Sequence, residues 1–108
     1  MQAFELAQLI SQRKSSDKLY LEFFKVPDLS MGIYILPAGG TDPQSPHTED
    51  EVYYVVSGAA KIKIADEDRA VQPGSIVHVA KNVEHRFHSI EKELTVIVFF
   101  APAEYSNK

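Results

Sequence analysis

The residues able to do chemistry are few, and most of them fall in two short stretches. His47, Glu49 and Glu51 occupy alternate positions of His47-Thr-Glu-Asp-Glu51, and alternate side chains of an extended strand face one side. An imidazole and a carboxylate on one face can share a divalent cation or a proton, or can simply be solvated charges. Glu49 has the same parity and is either an auxiliary ligand or a solvated carboxylate. His85 lies 38 positions beyond His47 and must arrive from another element. His88 is offset from His85 by an odd number and belongs on the opposite face, as a surface or interface residue. His78 is read the same way. Cysteine is absent, which removes thiolate chemistry and disulfides. The sequence has no Gly-x-Ser-x-Gly elbow, phosphate loop or dinucleotide fingerprint.

The elements that must position these groups are mostly strands. Residues 3–13 predict the one helix, with Ala3, Leu6, Ala7 and Ile10 forming an apolar stripe. Leu19–Val26 and Met31–Leu36 read as strands on either side of a Pro27-Asp28 turn. The proline- and glycine-rich stretch Leu36–Pro46 reads as a loop. Val52–Val56 predicts a strand stopped at Ser57-Gly58, and residues 59–65 alternate as a half-buried strand should. Asp66-Glu67-Asp68 turns the chain back through Arg69–Gln72, Pro73-Gly74 turns it again, and Ile76–Val79 follows. His85–Ser89 is a short strand, Glu91–Glu93 a charged turn, and Leu94–Phe100 a strand apolar on both faces, hence central. Short strands at this spacing indicate one antiparallel β-sandwich or barrel. The domain reading is an N-terminal helix and linker over 1–18, a barrel over 19–102 and a C-terminal tail over 103–108.

At 108 residues, 44% of them hydrophobic and 24% charged, the chain can build a single core and lacks the composition of a disordered protein. A net charge of −4 argues against a nucleic-acid partner, which selects for a basic face. The basic pairs Arg13-Lys14 and Lys61/Lys63 are too sparse for one. No apolar run reaches the roughly 18 residues of a membrane span, and the start lacks the pattern of a signal peptide. The expectation is therefore a cytoplasmic protein with no membrane partner. The apolar strand Leu19–Val26 also predicts a homodimer, because it offers more apolar surface than one small barrel covers.

Two spaced patterns carry a family resemblance. Gly39 is followed by five residues, Ser45-x-His47, three residues, Glu51, six residues and Gly58. This resembles the first motif of the cupins, Gly, five residues, His-x-His, three or four residues, Glu, six residues, Gly, with serine in place of the first histidine. Gly74 is followed by five residues, Ala80-Lys81-Asn82, two residues, His85, three residues and Ser89. This resembles the second motif, although its proline, second glycine and asparagine are replaced. Asn82 is a workable substitute for glycine because asparagine accepts left-handed backbone. The resemblance spans about residues 31–100 and implies an all-β fold, a double-stranded β-helix or jelly-roll barrel with a short N-terminal helix.

The resemblance also implies a metal site of His47, Glu51 and His85, with Ser45 leaving open the position of the fourth family ligand. Two imidazoles and one carboxylate suit Fe, Zn, Mn, Ni or Co, and resemble the three-ligand sets of non-haem iron oxygenases and catalytic zinc enzymes. Loss of one ligand is equally readable as loss of metal binding. Ser45 and Glu49 are then candidates for outer contacts, and Tyr34, Tyr53 and Phe87 for the walls of a pocket. Each has a plain structural alternative: a surface His47, a cross-strand Glu51, a structural His85, core aromatics. The function expected is a metal-dependent oxygenase or isomerase acting on a small organic molecule. The alternative is a non-catalytic module that binds a small ligand, with or without metal.

Overall fold

The computed structural model describes residues 1–107. It contains one helix, α1 (Leu6–Lys14), and six strands: β1 (Tyr20–Val26), β2 (Leu29–Leu36), β3 (Asp50–Ile64), β4 (Glu67–Val71), β5 (Ile76–Val79) and β6 (His85–Ala101). All pairings are antiparallel, in the order β1-β2-β6-β3-β4, with β5 also paired to β3. Among the described residues no helix is long and apolar enough to cross a membrane.

The helix starts three residues later than the sequence pattern suggests, and its inner face is Leu6, Leu9 and Ile10 rather than the alanines. Leu9 packs with Ile33 and Ile35 of β2, flanked by Phe23 and Ile97, while Ala7 is exposed. Burying leucine removes far more apolar surface than burying alanine, so the larger residues choose the face. The Phe4 ring then meets Phe23 edge-on at 4.9 Å. The N-terminal segment thus covers part of the apolar surface of β1. Arg13 is not part of a basic patch: its guanidinium donates to the carbonyls of Leu19 at 2.5 Å and Ile35 at 2.9 Å, tying the helix end to the barrel.

Two pairs of expected strands merge into two long ones. Val52–Val56 and residues 59–65 are a single strand, β3, with a bulge where the register shifts between Val55 and Lys61. His85–Ser89 and Leu94–Phe100 are likewise one strand, β6, and Glu91–Glu93 is not a turn. Gly58 explains why the break looked complete. Its φ is +103°, and a Cβ there would sit 2.3 Å from the Glu93 carbonyl oxygen, so the sequence marks a bulge with the residue that also marks turns. The turn after β3 is Ala65-Asp66, leaving Glu67 and Asp68 in β4.

The two long strands pair along their whole length, from Asp50↔Ala101 to Ile64↔His85. Thirteen residues of straight strand would place Glu51 about 43 Å from Ile64, at about 3.3 Å each. The longest dimension of the molecule is 37 Å, so the ribbon must fold over on itself. That fold brings the His85 end of β6 to the Glu51 end of β3. The enclosed core includes Leu36, Tyr53, Val55, Phe87, Leu94, Val96, Val98 and Phe100.

Candidate metal centre

Residues 37–49 form the loop that carries His47, and Asp42 anchors it. The Asp42 carboxylate accepts from the Tyr34 hydroxyl at 2.5 Å, from the Gln44 amide at 2.6 Å and from the backbone N–H of Phe87 at 2.9 Å. Gln44 in turn accepts from the Tyr53 hydroxyl at 2.8 Å. The His47 carbonyl accepts from the N–H of Asn82 at 2.6 Å. Asn82 has φ +63°, the left-handed conformation expected of it, and sits on the link between β5 and β6. The link that delivers His85 is therefore bonded directly to the loop that delivers His47.

His47, Glu51 and His85 converge, each offering a ligand atom within 4.8 Å of the other two. Glu51 Oε1 lies 3.0 Å from His85 Nε2 and 3.5 Å from His47 Nδ1. His85 and Glu51 are almost fully buried, with side chains 1% and 2% exposed, and His47 is 16% exposed. Close as they are, none of these three atoms has a hydrogen-bond partner of acceptable geometry. A buried polar atom left bare costs about 1–3 kcal/mol, and here three point at one place. A divalent cation would satisfy all three, and the two-nitrogen, one-oxygen set suits Fe, Zn, Mn, Ni or Co. The residues fit a metal.

Without metal, the site holds protons instead. Burial alone would lower the basicity of His47, but the Glu104 and Glu51 carboxylates outweigh it and push its pKa up to about 9. His85 follows the same logic: burial opposes its charge, and Glu51 with the Val83 carbonyl raises its pKa. Burial would raise the Glu51 pKa, yet the two imidazoles hold it low. A group whose pKa is raised by folding contributes stability below its unfolded value, near about 6.5 for histidine, and loses it as pH climbs through the folded value. The metal-free protein should therefore lose stability between about pH 6.5 and 9. Expected is a fall in Tm of at least about 4 °C, the shift made by roughly 1 kcal/mol in a domain of this size. A flat melting temperature by calorimetry across that range, in chelator-treated protein, would count against this charge arrangement. Protons and metal also compete, so metal affinity should drop on acidification.

The other expected site residues divide. Tyr34 lines a cavity of about 50 Å³ beside the triad, with Tyr20, Gln44, His47, Glu51 and Glu104 among its walls. Ser45 is exposed and lines a second, larger cavity of about 500 Å³ at the surface, as does Glu49. His47 and Gln44 line both and separate them. Tyr53 and Phe87 are core: their rings meet at 4.8 Å, and neither lines the inner cavity. Glu49, despite its parity, points away from the triad because residues 47–49 precede β3 and are not extended strand. Its carboxylate accepts from the N–H groups of Tyr105 and Asn107 at 3.0 and 3.1 Å and pairs with the Thr48 hydroxyl. Burial would raise its pKa, but these hydrogen bonds lower it. His88 and His78 face outward, beside Asp68 and Asp50.

Three contributors escaped the sequence reading. Glu104 belongs to the segment set apart as a tail, whose last residue, Lys108, lies outside the described residues. Its carboxylate lies 3.1 Å from His47 Nε2, and Glu104 and Ala103 are buried. Tyr20 was read as part of an apolar strand, but its ring lies over Gly32, where a Cβ would meet it at 2.1 Å, and its hydroxyl is buried without a partner. Burial and Glu104 push this phenol's pKa up, so it stays a donor. A glycine inside the apolar strand that follows was the available signal that a large ring lies over β2; Gly32 pairs with Glu22, and the Tyr20 ring reaches it from two residues away. Asp42 offered none beyond its place in a loop, and Glu104 none at all.

A strand-folded barrel with two imidazoles and a carboxylate meeting at one end is the arrangement of a cupin, and direct comparison agrees. The family model described as Cupin domain matches residues 32–101; the chain belongs to this family. An uncharacterized protein of Streptomyces coelicolor is 46% identical over 104 residues, covering 96% of this chain and 99% of its own. The solved structure of KdgF from Halomonas sp. is similar at a TM-score of 0.70 and 25% identity, over 77% of this chain and 76% of that one. An RmlC-like cupin from Methanocaldococcus jannaschii, with a double-stranded β-helix fold, reaches a TM-score of 0.68 at 20% identity, over 80% and 84% of the two chains.

Proposed function

We propose that the chain is a metal-dependent cupin that binds a divalent cation through His47, Glu51 and His85 and acts on a small oxygen-bearing organic molecule. The observation that carries this reading is the convergence of three buried ligand atoms, none of them hydrogen-bonded. Bound there, a cation with open positions would polarise a carbonyl, or, if redox-active iron, would join substrate to dioxygen. The protein's own part is to orient: the Tyr20 hydroxyl, buried and without a partner, has a proton to offer a molecule in the inner cavity that Tyr20 lines, and His47 and Gln44 line both cavities. The walls are apolar on one side, Val98 and Phe100, which suits a compact molecule with a short carbon skeleton. Purified protein should carry close to one metal ion per chain by plasma mass spectrometry. Oxygen uptake with small hydroxy and keto acids then separates the oxygenase from the isomerase reading. Protein without metal that takes up none of Fe, Zn, Mn, Ni or Co when they are added refutes the proposal and leaves the non-catalytic binding module.

We also propose a homodimer. The support is that β1 is an edge strand with Val26 and Phe4 still exposed beside it, although the helix covers more of this surface than the sequence suggested. A monomeric mass by light scattering at micromolar concentration would contradict it.

A further inference from the structure

Resting on the metal reading above, we infer that Glu104 is the positioning residue of the centre: it holds the Nε2–H of His47, so that Nδ1 is the nitrogen this histidine offers to metal. The two histidines present opposite nitrogens to Glu51. His85 Nδ1 lies 2.9 Å from the Val83 carbonyl. A carbonyl only accepts, so Nδ1 carries the proton and Nε2 is free to ligate. His47 reverses this: its Nδ1 faces Glu51 at 3.5 Å, and its Nε2 faces the Glu104 carboxylate at 3.1 Å. Glu104 does for His47 what the Val83 carbonyl does for His85, with a full negative charge that also strengthens the imidazole as a ligand.

Glu104 is held as a positioning group needs to be. Its backbone N–H donates to Ser30 Oγ at 2.9 Å, and the N–H of Ala103 donates to the Pro27 carbonyl at 3.2 Å. On its other side, Glu49 holds the N–H groups of Tyr105 and Asn107. The residue is 7% exposed, so its carboxylate cannot swing freely into water. It is also not one of the converging set, which contains His47, Glu51 and His85 alone among the described residues. Glu104 touches the far nitrogen of the ring, an outer contact rather than a coordinating one. The Glu49 carboxylate thereby gains a purpose, since it clamps the segment that delivers Glu104.

The test uses zinc, which is diamagnetic, with the full chain labelled with ¹⁵N. Long-range ¹H–¹⁵N correlation spectra of the zinc-loaded wild type should show His47 protonated at Nε2 and bound through Nδ1, with His85 the reverse. Glu104→Ala should weaken zinc binding about 10–100-fold in a chelator competition. It should also release the fixed His47 tautomer, with the His85 pattern unchanged. Glu104→Gln keeps an oxygen that accepts and should regain part of the affinity. A wild-type spectrum with His47 bound through Nε2 overturns the inference even if the alanine variant fails to fold. So does a folded Glu104→Ala protein with wild-type zinc affinity and an unchanged His47 signal. Wild-type protein that binds neither zinc nor any of Fe, Mn, Ni and Co fails at the earlier step and refutes the metal reading itself.

Discussion

Replacing His85 with alanine should weaken metal binding by at least about 100-fold, because a ligand is worth more than the 10–100-fold of an outer partner. The barrel should survive. His85 sits at the end of β6, and the core of Leu36, Tyr53, Val55 and Val96 is built without it. The metal-free variant does leave Glu51 buried with one imidazole fewer, at a cost of about 1–3 kcal/mol. That is well within the stability of an ordinary domain, about 5–15 kcal/mol. Plasma mass spectrometry after metal loading, with circular dichroism as the check on folding, reads both halves. Equal metal content in variant and wild type would remove His85 from the site. Collapse of the fold would make it a structural residue instead, and His85→Gln, which preserves most of the volume, would show whether packing alone was lost.

Glu51→Gln should have the second large effect, and it reaches both histidines at once. The change keeps the shape of the side chain and removes the charge that both imidazoles share. Metal affinity should again fall by at least about 100-fold. His85 has Glu51 as its only carboxylate neighbour among the causes raising its pKa, so burial, the largest influence, and the nearby His47 are left opposed only by the Val83 carbonyl. Its pKa should then drop below the ordinary histidine value of about 6.5. His47 keeps Glu104 and should move less. Following both C2 protons by NMR from pH 5 to 10 separates the two responses. If neither histidine shifts, the assignment of Glu51 as their common partner fails; if the two shift equally, the additional hold of Glu104 on His47 fails.

The identity of the three converging residues was legible in the sequence because motif spacing survives any detail of strand geometry. The reasoning from strand parity was less secure. It grouped Glu49 with His47 and Glu51 as though all three lay on one extended strand, but β3 begins only at Asp50. Periodicity carries information within an element and loses it across a loop. Gly58 misled for a related reason: glycine marks a bulge and a turn alike, and only the pairing partner, here the Glu93 segment, decides between them. The helix register slipped because alanine counts as apolar in a pattern but contributes little when buried. Glu104 was invisible because its role depends on where the chain returns after the last strand, a purely three-dimensional fact.

The doubled-over ribbon of β3 and β6 has a kinetic consequence. Its two ends meet only when nearly all of the non-local pairing is in place, so the unfolded chain holds no half-built version of the centre. Chains dominated by such distant pairings fold slowly, in about milliseconds to seconds, and contacts that close last leave the folding rate almost untouched. A bound cation should therefore leave the refolding arm of the chevron where it is and lower the unfolding arm. It would act as a latch on a finished barrel, lengthening the lifetime of the native state without guiding the chain towards it.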